Sequence, residues 1–239
     1  MGSVSHPQQP PIMKRFIVGM LALAIAAPAQ AQVLDFEGAS PIYPFLNNNV
    51  FLQGFYNGGT SSVGTSGANY GIEFSSNALA ICLDTPSVDC SNTSRGGLGD
   101  PNSARSALFF LSGSDTYMNR AAGFQNGFSF YYASYNYQGA FSVWSGLDGT
   151  GDLLASLTLN PQSTGCAGNF FCPFYAAGVS FSGTAKSVTF SGVADQIVFD
   201  DVTFGSSQPG EVPEPASLAL IAVGSFGLGV VARRRRTNA

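Results

Sequence analysis

The chain has 239 residues, 45% of them hydrophobic and only 10% charged, with a formal net charge of −4 and a single histidine, His6. Between residues 32 and 210 the imbalance is steeper, because Arg95, Arg105, Arg120 and Lys186 stand against twelve carboxylates, a net −8. Such a body repels a phosphate backbone, which excludes nucleic acid as a partner and leaves cations, neutral glycans and proteins.

Residues 1–12 are rich in Pro and Gln without periodicity, and read as an extension upstream of a true initiator at Met13. Lys14 and Arg15 then precede an apolar run over 16–27 and the segment Pro28-Ala29-Gln30-Ala31-Gln32. A positive start, a short apolar stretch and an A-x-A site are the three parts of a secretory signal peptide. Residues 13–31 are therefore expected to be removed by signal peptidase, with Ala29 and Ala31 as the small residues at the cut and Gln32 as the mature start. The apolar run is too short to cross about 30 Å of hydrocarbon.

Residues 32–210 form a body long enough for one ordinary domain. Its hydrophobic period is two, and Gly, Ser and Asn punctuate it. Strands are predicted over 33–36, 50–56, 70–74, 78–83, 107–111, 127–133, 140–145, 153–159, 177–181, 187–191 and 196–204, where β-branched and aromatic residues concentrate. Turn formers such as Asn57-Gly58-Gly59 and Asp148-Gly149-Thr150-Gly151 lie between them. The similar segments V-S-F-S-G (179–183) and V-T-F-S-G (188–192) read as consecutive strands of a hairpin. No part of the body carries a sustained helical stripe. The expected fold class is all-β, a single antiparallel β-sandwich of jelly-roll type.

Four cysteines fall in two local pairs, Cys82 with Cys90 and Cys166 with Cys172. In an exported chain they are expected as disulfides, and of three connectivities the local one is favoured. A four-thiolate zinc site is the alternative, with poor ligand spacing.

The chain closes on Val212-Pro213-Glu214-Pro215, an uncharged stretch over 216–232 and Arg233, Arg234, Arg235 and Arg236. Seventeen helical residues span about 25 Å, the lower limit for a transmembrane helix. The prolines mark its start, and the arginines hold its end on the cytoplasmic side. This three-part tail, 211–239, resembles the PEP-CTERM sorting signal of Gram-negative bacteria. The resemblance implies a membrane-embedded exosortase as processing partner, cutting near the Pro-Glu-Pro. It also implies an inner-membrane-anchored precursor with its body in the periplasm, then delivery to the cell surface or extracellular matrix.

The body offers little chemistry. Its only histidine lies upstream of the signal peptide, so a Ser-His-Asp or Cys-His site and histidine metal ligands are excluded. G-x-S-x-G, P-loop and G-x-G-x-x-G motifs are absent from the sequence. A carboxylate pair remains, as in glycoside hydrolysis, but Asp200 and Asp201 cannot supply it by adjacency because strand neighbours point to opposite faces. The segments 34–38 (LDFEG), 142–151 (SVWSGLDGTG), 183–188 and 199–205 (FDDVTFG) are similar to bodies carried by such tails. The first and last of them also resemble the edges of galactose-binding-like and carbohydrate-binding jelly rolls. That resemblance implies one structural calcium between first and last strands, with Glu37 beside Asp201 or Asp200 and Asp35 as a further ligand. Otherwise Asp200 and Asp201 solvate or cap the final strand and Glu37 is a surface residue. No other cofactor is expected. The run from Asp148 to Asp152 reads as a hairpin turn rather than a calcium loop.

For ligands, alternation places Tyr131, Tyr135 and Tyr137 on one face, with Tyr132 opposite and Trp144 on the following strand. Such rings stack on sugars, which makes them a candidate glycan platform, against the alternative of cross-strand packing. The sequence as a whole reads as a non-enzymatic surface or matrix protein. The alternative is a glycan-binding module meeting extracellular polysaccharide, and the third reading is a carboxylate-dependent glycoside hydrolase.

Overall fold

The computed structural model describes residues 32–40, 42, 49–83, 105–162, 171 and 173–210. The expected signal peptide, the tail from 211 onward with its expected transmembrane helix, and Cys90, Cys166 and Cys172 lie outside the described residues. Ten strands follow in chain order: β1 (Val33–Leu34), β2 (Asn49–Phe51), β3 (Ile72–Phe74), β4 (Leu79–Cys82), β5 (Ser106–Phe109), β6 (Asp115–Ser134), β7 (Gly139–Trp144), β8 (Leu153–Leu159), β9 (Tyr175–Ser191) and β10 (Ile197–Phe204). Every pairing is antiparallel. Among the described residues no helix is long and apolar enough to cross a membrane.

Two long strands, β6 and β9, organise the body. They pair along most of their lengths, from Asp115↔Ser191 to Tyr132↔Tyr175, with register shifts between Asn119 and Phe124 and again before Asn126. At those shifts the ribbon bends, so each long strand serves two layers. The C-terminal half of β6 and the N-terminal half of β9 complete a first layer in the order β2-β4-β5-β10-β6-β9, with β1 beside the end of β10. The other halves join β3, β7 and β8 in a second layer ordered β3-β6-β9-β7-β8.

Alternation fills the space between the layers with rings. Phe128 and Phe130 from β6 and Phe199 from β10 meet Phe141 of β7 and Phe190 of β9, with centroids 4.8 Å apart for Phe130–Phe141 and 4.7 Å for Phe190–Phe199. All five are fully buried. Edge-to-face and tilted arrangements dominate, as ring quadrupoles prefer. The outer face of the first layer carries a second apolar cluster, in which Leu79, Ile81, Phe109, Ala133 and Val198 pack with Phe171. Burial on both faces explains why β4 reads as an unbroken apolar run and β5 nearly so.

Several expected elements differ. The two segments read as a hairpin are one strand, β9, whose halves pair with different stretches of β6. Bulges between Asn119 and Asn126 break the alternation in the middle of β6, so the strand was not legible as one element and only 127–133 was read from it. The strand expected over 50–56 ends at Phe51, because Gln53 adopts φ 47° and the Phe55 N–H turns back to the Leu52 carbonyl at 2.9 Å. Cys82 is fully buried and disulfide-bonded, its partner lying outside the described residues.

Candidate functional site

The acids expected around a calcium ion are drawn to one region by β1, which pairs Leu34 with Val202 and Val33 with Thr203 of β10. Asp200 and Asp201 are both buried, at 0% and 5% exposure, so neither is a solvated cap. Strict alternation fails here. The register slips between Asp200 and Thr203, and Asp201 takes φ 47° with its N–H donating to Asp200 Oδ1 at 2.8 Å. Asp35 Oδ1 accepts the Glu37 N–H at 3.1 Å. Glu37 Oε1 accepts the N–H groups of Arg105 and Ser106, each at 2.9 Å, and so caps the start of β5, the strand that pairs Leu108 with Phe199 of β10. Among the described residues no group of three or more His, Cys, Asp or Glu side chains is placed to hold a metal ion.

Buried beside these acids, Tyr56 accepts the Phe36 N–H on its hydroxyl at 2.9 Å. Phe36 adopts φ 56°, a conformation costly for a bulky residue, and this bond helps hold it there. Burial first, and then the charge of Asp35, push the Tyr56 phenol well above its ordinary pKa.

The tyrosine platform is not assembled. Phe128, Phe130 and Tyr132 face the core from the first layer, so Tyr131 points outward from that layer. Phe141 and Val143 face the core from the second layer, so Trp144 points outward on the opposite side of the sandwich. Its indole N–H donates to Thr189 Oγ1 at 3.1 Å. Tyr135 is half-buried, with its N–H on the Gln196 carbonyl, and Tyr137 is 49% exposed in the β6–β7 connection. Tyr132 packs on Phe130 and donates its hydroxyl to the Asn160 carbonyl.

A concavity lies on the outer face of the second layer, mostly apolar with a few polar groups at its rim. The β7–β8 connection is a hairpin loop, as its glycines indicated, closed by Ser145 N–H to the Asp152 carbonyl and Gly146 N–H to the Thr150 carbonyl. It folds back over the sheet rather than projecting from it. Ser187 Oγ donates to the Gly146 carbonyl and accepts the Gly149 N–H, while Asn119 and Asp148 exchange two hydrogen bonds. Desolvation, then the Asp148 charge, raise the pKa of the neighbouring Tyr117 phenol.

Between this loop and β3 runs a cleft of about 310 Å³, lined by Asn57, Gly71, Glu73, Asn119, Ala121, Ala122 and Leu147. The Asn57 amide donates to Glu73 Oε1 at 2.6 Å. A carboxylate and two amides thus converge beside an apolar wall, a donor and acceptor set suited to an uncharged polar ligand. Sequence reasoning did not find Glu73 or Asn119. Neither sits in a motif, and both belong to stretches whose pairing only the bent ribbon creates.

Comparison with known proteins adds an address. Residues 211–236 match the PEP-CTERM protein-sorting motif, which marks the chain for export and exosortase sorting. No curated protein matches the chain in sequence. Among solved structures, CsCBM6-3 of Clostridium stercorarium in complex with cellobiose is 14% identical at a TM-score of 0.32, covering 46% of this chain and 79% of that one. The K1 cleaved adhesin domain of Lys-gingipain from Porphyromonas gingivalis is 15% identical at a TM-score of 0.37, covering 56% and 90%. A family 11 carbohydrate-binding module from Clostridium thermocellum, in complex with a mixed-linked tetrasaccharide, is 11% identical at 0.31, covering 73% and 95%. Likeness at these TM-scores assigns neither a ligand nor a topology to this chain.

Proposed function

We propose that the chain is an exported, non-enzymatic protein whose jelly-roll-type body is delivered to the cell surface or extracellular matrix. In this reading the tail holds the precursor in the inner membrane until an exosortase cuts it. The observation that carries the reading is the sorting motif at 211–236. The positively started apolar segment at 13–31 supports export, and the uncharged run 216–232 followed by four arginines supports a temporary anchor. The test is expression of the full chain in a host with and without an exosortase. Loss of the tail and transfer of the body from membrane to surface or medium are expected only with the enzyme. An intact, membrane-bound chain in its presence would overturn the reading.

A second reading is favoured by the cleft: the body binds an uncharged polyhydroxyl ligand, such as a segment of extracellular polysaccharide. Glu73, Asn57 and Asn119 supply the hydrogen-bonding groups and Leu147, 40% exposed, the apolar contact. Titration of the exported protein with neutral oligosaccharides tests it, with Glu73→Ala as the control that should abolish binding. No binding at millimolar sugar, or binding unaffected by Glu73→Ala, would count against it.

A further inference from the structure

The chain does not leave the body freely after β10. Residues 205–207 cross the outer face of the first layer over the β6–β9 ribbon, and 208–210 turn back so that Gly210 reaches Thr203. Gly205 donates its N–H to the Gly127 carbonyl at 2.9 Å, and Ser129 Oγ donates to the Ser206 carbonyl at 3.0 Å. The Gln208 N–H donates to Ser206 Oγ at 3.0 Å, and the Gly210 N–H donates to Thr203 Oγ1 at 3.1 Å.

The track beneath this stem has almost no side chains. A Cβ on Gly127 would lie 2.6 Å from the Ser206 carbonyl carbon, and one on Gly178 would lie 2.3 Å from the Ser207 oxygen. Ser129 and Gly178 are direct cross-strand partners, so small residues from both strands form one groove. The other end of the body leaves at the same place. Thr203, which accepts the Gly210 amide, pairs with Val33, and the Phe204 N–H donates to the Gln32 carbonyl at 2.9 Å.

The sorting motif starts at residue 211, one residue beyond the last docked amide. An enzyme that acts on a peptide bond takes its substrate extended, commonly as an added strand that uses backbone groups on both sides of the reacting bond. Here three backbone groups on the N-terminal side, the Gly205 and Gly210 N–H and the Ser206 carbonyl, are bonded to the body. We propose that Gly205–Gly210 is a docked stem that must lift from the Gly127–Ser129–Gly178 track before the sorting enzyme engages the motif. The fold of the body thereby sets the rate of its own release. This rests on the exosortase reading above, and the stem itself stands on geometry alone.

Hydrogen exchange on the full-length chain tests the stem directly. The Gly205, Gln208 and Gly210 amides should exchange at least about tenfold more slowly than in an unstructured peptide, as docked segments do; exchange at the free rate overturns the docked stem. Gly178→Val should abolish that protection while the remaining amides of β6 and β9 stay protected. A Gly-Ser insertion between Gly210 and Glu211 leaves the body untouched and supplies free chain beyond the stem. In cells containing the exosortase, both variants should convert precursor to mature protein several-fold faster than wild type. Conversion at the wild-type rate in the insertion variant overturns the gate. No conversion of the wild type overturns the sorting reading and the gate together, while the exchange result still decides whether the stem is docked.

Discussion

Asn119 and Asp148 bind each other twice: the Asn119 amide donates to Asp148 Oδ1 at 2.6 Å, and the Asp148 N–H donates to Asn119 Oδ1 at 2.8 Å. One residue sits on β6 beside the bend and the other at the tip of the β7–β8 loop. The pair therefore holds the loop over the sheet and keeps Leu147 on the wall of the cleft.

Both groups are solvent-exposed, so each bond should contribute about 0.5–1 kcal/mol. Asn119→Ala and Asp148→Ala are each expected to lower unfolding stability by about that amount, and the double variant by less than the sum. Urea unfolding of the four proteins measures the coupling. Strict additivity would show that the pair does not act as a pin.

Glu37 caps β5 by accepting two amides with one carboxylate oxygen. Glu37→Ala leaves both N–H groups without that acceptor and is expected to cost about 1–3 kcal/mol. Glu37→Gln keeps an acceptor of the same shape without the charge, so it should fall between wild type and alanine. A glutamine variant as unstable as the alanine one would mean that charge, not capping, is what Glu37 supplies.

Phe130 lies within ring contact of Phe128, Tyr132, Phe141, Phe190 and Phe199, and so joins the two layers at their centre. Phe130→Ala is expected to cost about 3–5 kcal/mol, because the surrounding rings cannot close the cavity. The outward Tyr131→Ala should cost far less. Thermal unfolding of the two variants reads the difference directly, and equal losses would contradict the layer assignment.

The raised Tyr56 phenol makes stability fall in alkali. An unfolded tyrosine ionises near pH 10, whereas the folded one holds its proton to higher pH. Its contribution is therefore complete below about pH 10 and is lost as pH rises from there through the folded value. Tyr56→Phe should flatten part of that alkaline slope, with Tyr132 and Tyr117, shifted in the same direction, accounting for what remains. At neutral pH the same variant should lose about 1–3 kcal/mol, since the buried Phe36 N–H loses its acceptor. An unchanged alkaline slope would remove Tyr56 from the account.

Legibility in the sequence followed local regularity. β8 matches its expected bounds, since the 148–151 turn and Asn160-Pro161 bracket it, and that turn was readable from its glycines. β10 was close, because β-branched and aromatic residues concentrate on either side of Asp200 and Asp201. The continuity of β6 was hidden by the bulges at its middle, and the two similar segments of β9 looked like a hairpin because sequence similarity carries no information about which strand each half will meet. Tyr131 and Trp144 were grouped by proximity in the chain, yet β6 and β7 lie in different layers and send them to opposite surfaces.

By itself the sequence determined the address, the charge and the fold class. A sorting tail, an acidic body and a period-two pattern are local or compositional, and survive without a partner in space. Only the tertiary structure decided where that tail is mounted. Whether Gly127 and Gly178 form a track for residues 205–210 depends on the antiparallel register of β6 and β9, which places residues 51 positions apart beneath the same stretch of chain. Glycine in a sequence signals close approach without saying to what, because the approaching backbone belongs to another element.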